Sequence, residues 1–386
     1  MRNIFLAGST GSIGKSAFEV ALSYPEKLCV RAVAAGHFSA ELKRQILDVN
    51  PSYCVLPLKS ESDRAGDALK RFGNIKTKFL SGDEGFKEAI EDGDINVVLN
   101  AVGGSAGLML SYLSLVAGKD LALANKESMV MAGGILNRAA SASKAKIIPV
   151  DSEHSALFQC LGCGKKTDVK KLILTASGGP FYNMNKTEFQ KITPVMALNH
   201  PKWKMGKKIT IDSSTLANKG LEIIEAHYLF DIDEKDIEVL IHPQAVIHSM
   251  VEFKDGSVIA QMGRPDMKGP IGYALSYPYR FHGLMKPLNF AEAGSIEFFA
   301  PDAEKFPFLN LAREALRTGK SMPAVFCEAN EFFVNLFLGE KISFERISQN
   351  VEKVMQKHKP FGLMTIEDVI EAKNQAVSIS KTLLSR

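Results

Sequence analysis

With 386 residues the chain has enough material for two or three domains, each with a core of its own. Its 46% hydrophobic and 23% charged content is that of an ordinary globular protein, and a net charge of +4 without a basic block argues against nucleic acid as the main partner while leaving room for a local phosphate site. No apolar run reaches the roughly 18 residues of a membrane span, and Met1-Arg2-Asn3-Ile4-Phe5 enters a strand at once, so the expectation is a cytoplasmic protein without a signal or transit peptide.

Residues 1–150 alternate strand and helix patterns. Strands are predicted at Asn3–Ala7, Leu28–Ala34, Tyr53–Leu56, Lys78–Leu80, Ile95–Ala101, Asp120–Ala124 and Lys146–Val150, with helical stretches such as Ser39–Val49 and Ser105–Val116 between them. That alternation predicts an α/β fold with a doubly wound parallel sheet. The first strand runs into Gly8-Ser-Thr-Gly11-Ser-Ile-Gly14 and a helix, the arrangement in which a glycine turn and a helix N-terminus take a dinucleotide pyrophosphate. The second strand ends in Ala35-Gly36-His37-Phe38-Ser39, with no carboxylate before Glu41. An acid there would hold the ribose 2′-hydroxyl of NAD, and its absence favours NADP, with His37 and Ser39 within reach of the 2′-phosphate.

Two further strand ends carry candidate chemistry. Leu123-Ala124-Asn125-Lys126-Glu127-Ser128 reads as a helix start in which Asn125 caps and Glu127 occupies the first turn, while Lys126 is free to hold an anionic oxygen. At Pro149-Val150-Asp151-Ser152-Glu153-His154, strand alternation would put Asp151 and Glu153 on one side, and two carboxylates so close call for a cation.

Beyond 151, Lys171–Thr175 reads as a strand delivering Ser177-Gly178-Gly179, which suits phosphate. From Tyr182 to Lys208 regular patterning breaks down around His200-Pro-Lys-Trp203-Lys-Met205-Gly206; Trp203 is the chain's single tryptophan, and the stretch has the character of a lid. Asp212-Ser213-Ser214 opens a predicted helix with Asn218, Glu222 and Glu225 on one polar face and Lys219 beside them; Asn-Lys-Gly inside a helix is poor for propensity, as at functional sites. Asp255-Gly256 between Ile247–Lys254 and Ser257–Met262 signals a hairpin. Arg264-Pro-Asp-Met267 follows as a loop. Helices are predicted near 308–318, 324–338, 343–357 and 366–383. The cysteines at 29, 54, 160, 163 and 327 form no disulfide framework, and the lone Cys160-Leu-Gly-Cys163 is read as reduced thiols.

The words GSTGSIG, LANKES, PVDSEH, SGGPF, HPKWKMG, DSSTLANKGLE, HPQAVIHSMV and PDM, in this order, resemble the 1-deoxy-D-xylulose 5-phosphate reductoisomerase family from Gly8 to beyond Pro270. The resemblance implies a Rossmann-type NADPH-binding domain at 1–150, a catalytic, metal-binding and dimerisation domain with a lid at 151–285, a connector at 286–307 and a helical domain at 308–386. It implies one Mg²⁺ or Mn²⁺ per subunit on Asp151, Glu153 and Glu222, and substrate contacts at Lys126, Ser152, Glu153 and Glu222. The substrate phosphate falls to Ser177, Ser213, Asn218 and Lys219 with His200 close by, under Trp203 of the lid. NADPH contacts match Thr10, Gly11, Ser12, Ile13, Asn125, Glu127, Gly206 and Met267, with Gly36 and His37 at the loop where the family often has basic or amide residues. The activity so implied is rearrangement of a ketose phosphate and reduction of the branched aldehyde to 2-C-methyl-D-erythritol 4-phosphate, in a homodimer open to phosphonate hydroxamates of the fosmidomycin type. A semialdehyde dehydrogenase using a nucleophilic cysteine, or an NADP-binding sensor without chemistry, are the rival readings.

Overall fold

The computed structural model describes residues 1–385 apart from 71, 74 and 201–204, so the predicted lid residue Trp203 lies outside the described residues. Seven strands, β1 (Arg2–Ala7), β2 (Leu28–Ala34), β3 (Tyr53–Leu56), β4 (Lys78–Ser81), β5 (Val97–Asn100), β6 (Asp120–Leu123) and β7 (Ile147–Pro149), form one sheet. Their order is β4-β3-β2-β1-β5-β6-β7 and each pairing is parallel. Runs such as Val97–Asn100 are buried throughout, because helices cover both faces of such a sheet. Phe5, Ala32, Val55, Ile90 and Val98 share one apolar core, in which each large side chain contributes on the order of 1.5–3 kcal/mol. Strand order reverses at β1, which opens a crevice beyond the carboxyl ends of β1 and β5.

The chain packs as two units that do not follow chain order. The first comprises Met1–Asn125, Leu136–Ser155 and Asp266–Met285; the second comprises Lys126–Ile135, Ala156–Pro265 and the chain from Lys286 onward. Within the first, the Lys268–Ser276 helix is fastened by Arg2, whose Nη1 donates to the carbonyls of Ala274 and Leu275 at 3.3 Å, and by Lys268 on Glu19 at 2.7 Å.

The second unit holds β8 (Val169–Ala176), β9 (Ile237–Ile241), β10 (Ile247–Phe253) and β11 (Val258–Met262) in the order β11-β10-β8-β9, with β8 and β9 parallel and the other pairs antiparallel. The β10–β11 turn forms where Asp255-Gly256 was expected, with Gly256 at φ +87°. Helices follow at Phe308–Thr318, Met322–Leu338, Phe344–Lys357 and Ile366–Leu384. Phe344 meets Phe181, Phe189 and Phe337 edge-on at 5.4–5.7 Å, contacts worth about 0.5–1.5 kcal/mol each beyond burial. Thr365 and Asp368 close a reciprocal capping box on the last helix. Among the described residues no helix is long and apolar enough to cross a membrane.

Candidate active site

The glycine turn after β1 is built on missing side chains. A Cβ at Gly8 (φ +74°) would sit 2.4 Å from the Ala101 carbonyl oxygen, and one at Gly14 only 2.2 Å from that of Gly8, so turn and helix press together as no other residue allows. The Ser12–Ser23 helix starts at Gly11 with no side-chain cap, and Gly11 and Ser12 are exposed, which leaves helix N–H groups for an anion. Asn125, just beyond β6, donates its amide to the Val102 and Gly104 carbonyls of the loop beyond β5 at 2.7 Å.

At the end of β2, Gly36 and His37 are exposed. The next residue is gripped from a different helix, Lys59–Lys70: Glu61 Oε2 accepts from the Phe38 N–H at 2.7 Å, Arg64 Nη2 donates to the Phe38 carbonyl at 2.7 Å, and Arg64 Nη1 meets Glu61 Oε1 at 3.0 Å. Met267 stands at the N-cap of the Lys268–Ser276 helix, half-buried.

Asp151 and Glu153 do not alternate along a strand. β7 ends at Pro149 and a helix runs over Ser152–Leu161, so the two carboxylates belong to a helix start. The Asp151 carbonyl accepts from Ser155 N at 2.8 Å and its Oδ1 from Glu153 N at 3.4 Å, which makes Asp151 the cap and places Glu153 in the first turn, where the helix dipole favours negative charge. Ser152 Oγ donates to Glu153 Oε2, and His154, fully buried, keeps Nδ1 3.8 Å from Asp151 Oδ1.

In the second unit the helix predicted to open at Asp212-Ser213-Ser214 is two helices, Lys207–Ser214 and Ala217–Phe230, separated at Leu216 in the left-handed region (φ +59°). Asn218, Lys219 and Gly220 therefore fill a first turn and not a helix middle. Gly220 has a packing reason of its own: its Cβ would lie 2.9 Å from the Phe308 carbonyl oxygen. The turn delivers a buried charged cluster. Glu222, with no exposure, receives Lys126 Nζ at 3.1 Å and Asn218 Nδ2 at 2.5 Å on Oε1, and Lys219 Nζ at 2.5 Å on Oε2. Lys126 also donates to Asn218 Oδ1 at 2.7 Å and Lys219 to the Thr175 carbonyl at 2.6 Å. Two ammonium groups and an amide satisfy the buried carboxylate, as a charge held out of water requires.

Two residues beyond Thr175, Ser177 Oγ lies 3.1 Å from His200 Nε2, which lies 3.1 Å from Ser213 Oγ. Burial holds the His200 imidazole below its ordinary pKa, so it is neutral between the two hydroxyls. Gly178 and Gly179 have positive φ, and a Cβ on Gly179 would meet the Ser213 carbonyl oxygen at 2.8 Å, which locks the two segments together. Gly206 is the N-cap of the Lys207–Ser214 helix.

A second buried network had no signal in the sequence. Lys208 pairs with Glu127 at 2.8 Å and Asp212 at 2.7 Å, and Asn330 Nδ2 donates to Asp212 Oδ1 at 2.8 Å. Burial alone would drive the Lys208 ammonium down and the Glu127 carboxyl up; the opposite charges outweigh it, so Lys208 stays well above and Glu127 below its usual range. The network joins the residue after Lys126 to the residue before Ser213.

Family models match the chain in three stretches: 1-deoxy-D-xylulose 5-phosphate reductoisomerase over residues 4–133, its C-terminal domain over 147–230, and a DXP reductoisomerase C-terminal domain over 262–379. The chain is similar to the 1-deoxy-D-xylulose 5-phosphate reductoisomerase of Thermodesulfovibrio yellowstonii, 46% identical over 381 residues and 99% of each chain, and to that of Chlorobium phaeobacteroides, 44% identical over 386 residues and 100% of each. Among solved structures, the Zymomonas mobilis enzyme in complex with NADPH superposes with a TM-score of 0.91 at 38% identity, covering 99% of this chain and 98% of that one. A DOX-P reductoisomerase in complex with NADPH, fosmidomycin and magnesium gives 0.92 at 36% identity, covering 99% of each.

Proposed function

This chain belongs to the 1-deoxy-D-xylulose 5-phosphate reductoisomerase family, and from that premise we infer that it converts 1-deoxy-D-xylulose 5-phosphate to 2-C-methyl-D-erythritol 4-phosphate with NADPH and a divalent metal. The observation that carries the reading is the buried Glu222 cluster, where Lys126, Asn218 and Lys219 converge on one carboxylate.

The residues fit both groups the reaction needs. The pressed Gly8–Gly14 turn and uncapped helix suit a pyrophosphate, and Asp151, Glu153 and Glu222 offer oxygen donors only, as Mg²⁺ or Mn²⁺ prefers. When bound, the metal supplies Lewis-acid polarisation and a template for neighbouring oxygens, and NADPH supplies hydride. Lys126 then donates to a substrate oxygen on which charge develops, and Ser152 and Glu153 orient the same oxygens. Ser177, Ser213, Asn218 and Lys219 grip the phosphate, with neutral His200 ordering the two serine hydroxyls; this remote grip aligns the reacting carbons. Thr10, Gly11, Ser12, Ile13, Gly36, His37, Asn125, Glu127, Gly206 and Met267 are the cofactor positions of this reading, which counts Trp203 among the substrate residues. In this reading residues 1–150 serve nucleotide binding, 151–285 catalysis and 308–386 a helical domain in a bacterial, cytoplasmic homodimer, although Lys126–Ile135 packs in the second unit and Asp266–Met285 in the first. Fosmidomycin-type phosphonate hydroxamates are expected to occupy the substrate site.

The test is loss of NADPH absorbance with 1-deoxy-D-xylulose 5-phosphate. Turnover should vanish with EDTA and in Glu222→Gln, while NADPH binding to that variant stays near the wild-type level. Oxidation that ignores EDTA, or none in the untreated enzyme, would overturn the assignment. A thiol-based aldehyde oxidation would have to use Cys29 or Cys163, since burial pushes Cys54 up to about 12, Cys160 to about 11 and Cys327 well above its ordinary value; thiol alkylation that leaves activity intact would exclude it.

A further inference from the structure

The loop after β2 poses a problem that the residues next to it in sequence do not solve. An NADPH enzyme needs a cation or a set of donors for the ribose 2′-phosphate, and Gly36-His37-Phe38 contains no lysine, arginine or amide side chain. A Cβ at Gly36 would meet nothing within 4 Å, so the space beside the loop is open.

The fold brings a cation there from elsewhere. Arg64, on the Lys59–Lys70 helix, donates through Nη2 to the Phe38 carbonyl at 2.7 Å and through Nη1 to Glu61 at 3.0 Å, and its guanidinium carbon lies 5.7 Å from the centroid of the Phe38 ring. Three anchors fix the guanidinium beside the loop, yet 58% of the side chain remains exposed. Those bonds use two of its five N–H groups, so a forked donor is left for an anion. Glu61 is the group that would repel a phosphate, and its carboxylate is occupied: Oε2 accepts from the Phe38 N–H and Oε1 from Arg64. Immediately after the loop, Ser39 caps the Ala40–Val49 helix through Leu42 N at 3.2 Å, so a helix N-terminus also opens on this side. The helix's own Glu41 is paired with Arg44 at 2.7 Å.

We propose that Arg64 is the cationic contact of the NADPH 2′-phosphate in this chain and the residue that sets its preference for NADPH over NADH. The arginine performs two tasks, shaping the loop through Phe38 and presenting its remaining N–H groups to the phosphate. This rests on the NADPH reading above.

Direct binding separates the two. Dissociation constants for NADPH and NADH are measured by nicotinamide fluorescence, without substrate or metal, for the wild type, Arg64→Gln and Arg64→Lys, with adenosine 2′,5′-bisphosphate as competitor. Loss of one charge-assisted phosphate contact should weaken NADPH and the bisphosphate about 10- to 100-fold in Arg64→Gln and leave NADH within about twofold. Arg64→Lys should recover part of the discrimination and keep a steeper salt dependence than Arg64→Gln. Equal weakening of NADPH and NADH, or no change in either, would overturn the proposal and leave Arg64 as a loop staple. A wild type that does not prefer NADPH would instead sink the cofactor reading itself.

Discussion

Asn218, Lys219 and Glu222 drew notice because Asn-Lys-Gly looked like a break of propensity inside a helix, and Lys126 because it stood without a structural task at a strand end; the structure gathers the four in one buried cluster but sets Asn-Lys-Gly in a first turn. Lys208, Asp212 and Asn330 were not legible: a lysine and an aspartate four apart look like a surface pair, and Asn330 is 118 residues from the carboxylate it serves. Their burial makes the network consequential. Removing the cation strands two carboxylates out of water, a loss of about 3–5 kcal/mol. Lys208→Met is therefore expected to lower the urea midpoint sharply and to impair turnover, while Lys208→Arg should restore much of the stability. A Lys208→Met midpoint matching the wild type would show that the pair bears little of the fold.

At the scale of elements, the predicted strands and C-terminal helices were readable to within a residue or two, since period-two and 3.6-residue patterns are written locally, but β9 at Ile237–Ile241 was not predicted. The other exceptions sit at helix starts. Asp151 and Glu153 were read as strand neighbours, and the break at Leu216 was read through as helix, because a cap and a left-handed residue are decided by hydrogen bonds such as Glu153 N to Asp151 and not by periodicity. The first helix makes the clearest element-level test. Gly14→Ala places a methyl group against the Gly8 carbonyl. The variant should lose about 1–3 kcal/mol from over-packing and bind NADPH more weakly in a fluorescence titration, as the helix start shifts off the turn. Wild-type values for both would mean that the turn yields at no cost.

For the whole molecule, pH is a global lever. His200 and His358 are held below the ordinary histidine value of 6.5 by burial, His358 within 2.7 Å of Ser321 Oγ. Their folded forms resist the proton that the unfolded chain accepts, so the unfolded state binds more protons in the window below 6.5. Stability from these groups is complete above that value and falls as pH drops, and His358→Asn should flatten the fall in melting temperature between pH 7 and about pH 5.5. A wild-type melting temperature that is level across that range would contradict the burial of both rings. The doubly wound sheet was legible as a whole, but the return of Asp266–Met285 to the first unit was not, since nothing in a short apolar helix names its partner. That return has a consequence for biosynthesis. Arg2, which also pairs with Asp120 at 3.1 Å, and Glu19, both among the earliest residues made, meet this helix only when Ala274, Leu275 and Lys268 emerge. At 5–20 residues per second the ribosome reaches those partners on the order of ten seconds after Ser155 is made. For that interval the nascent first unit is one helix short, its earliest side chains waiting in a chain whose second unit is already being translated.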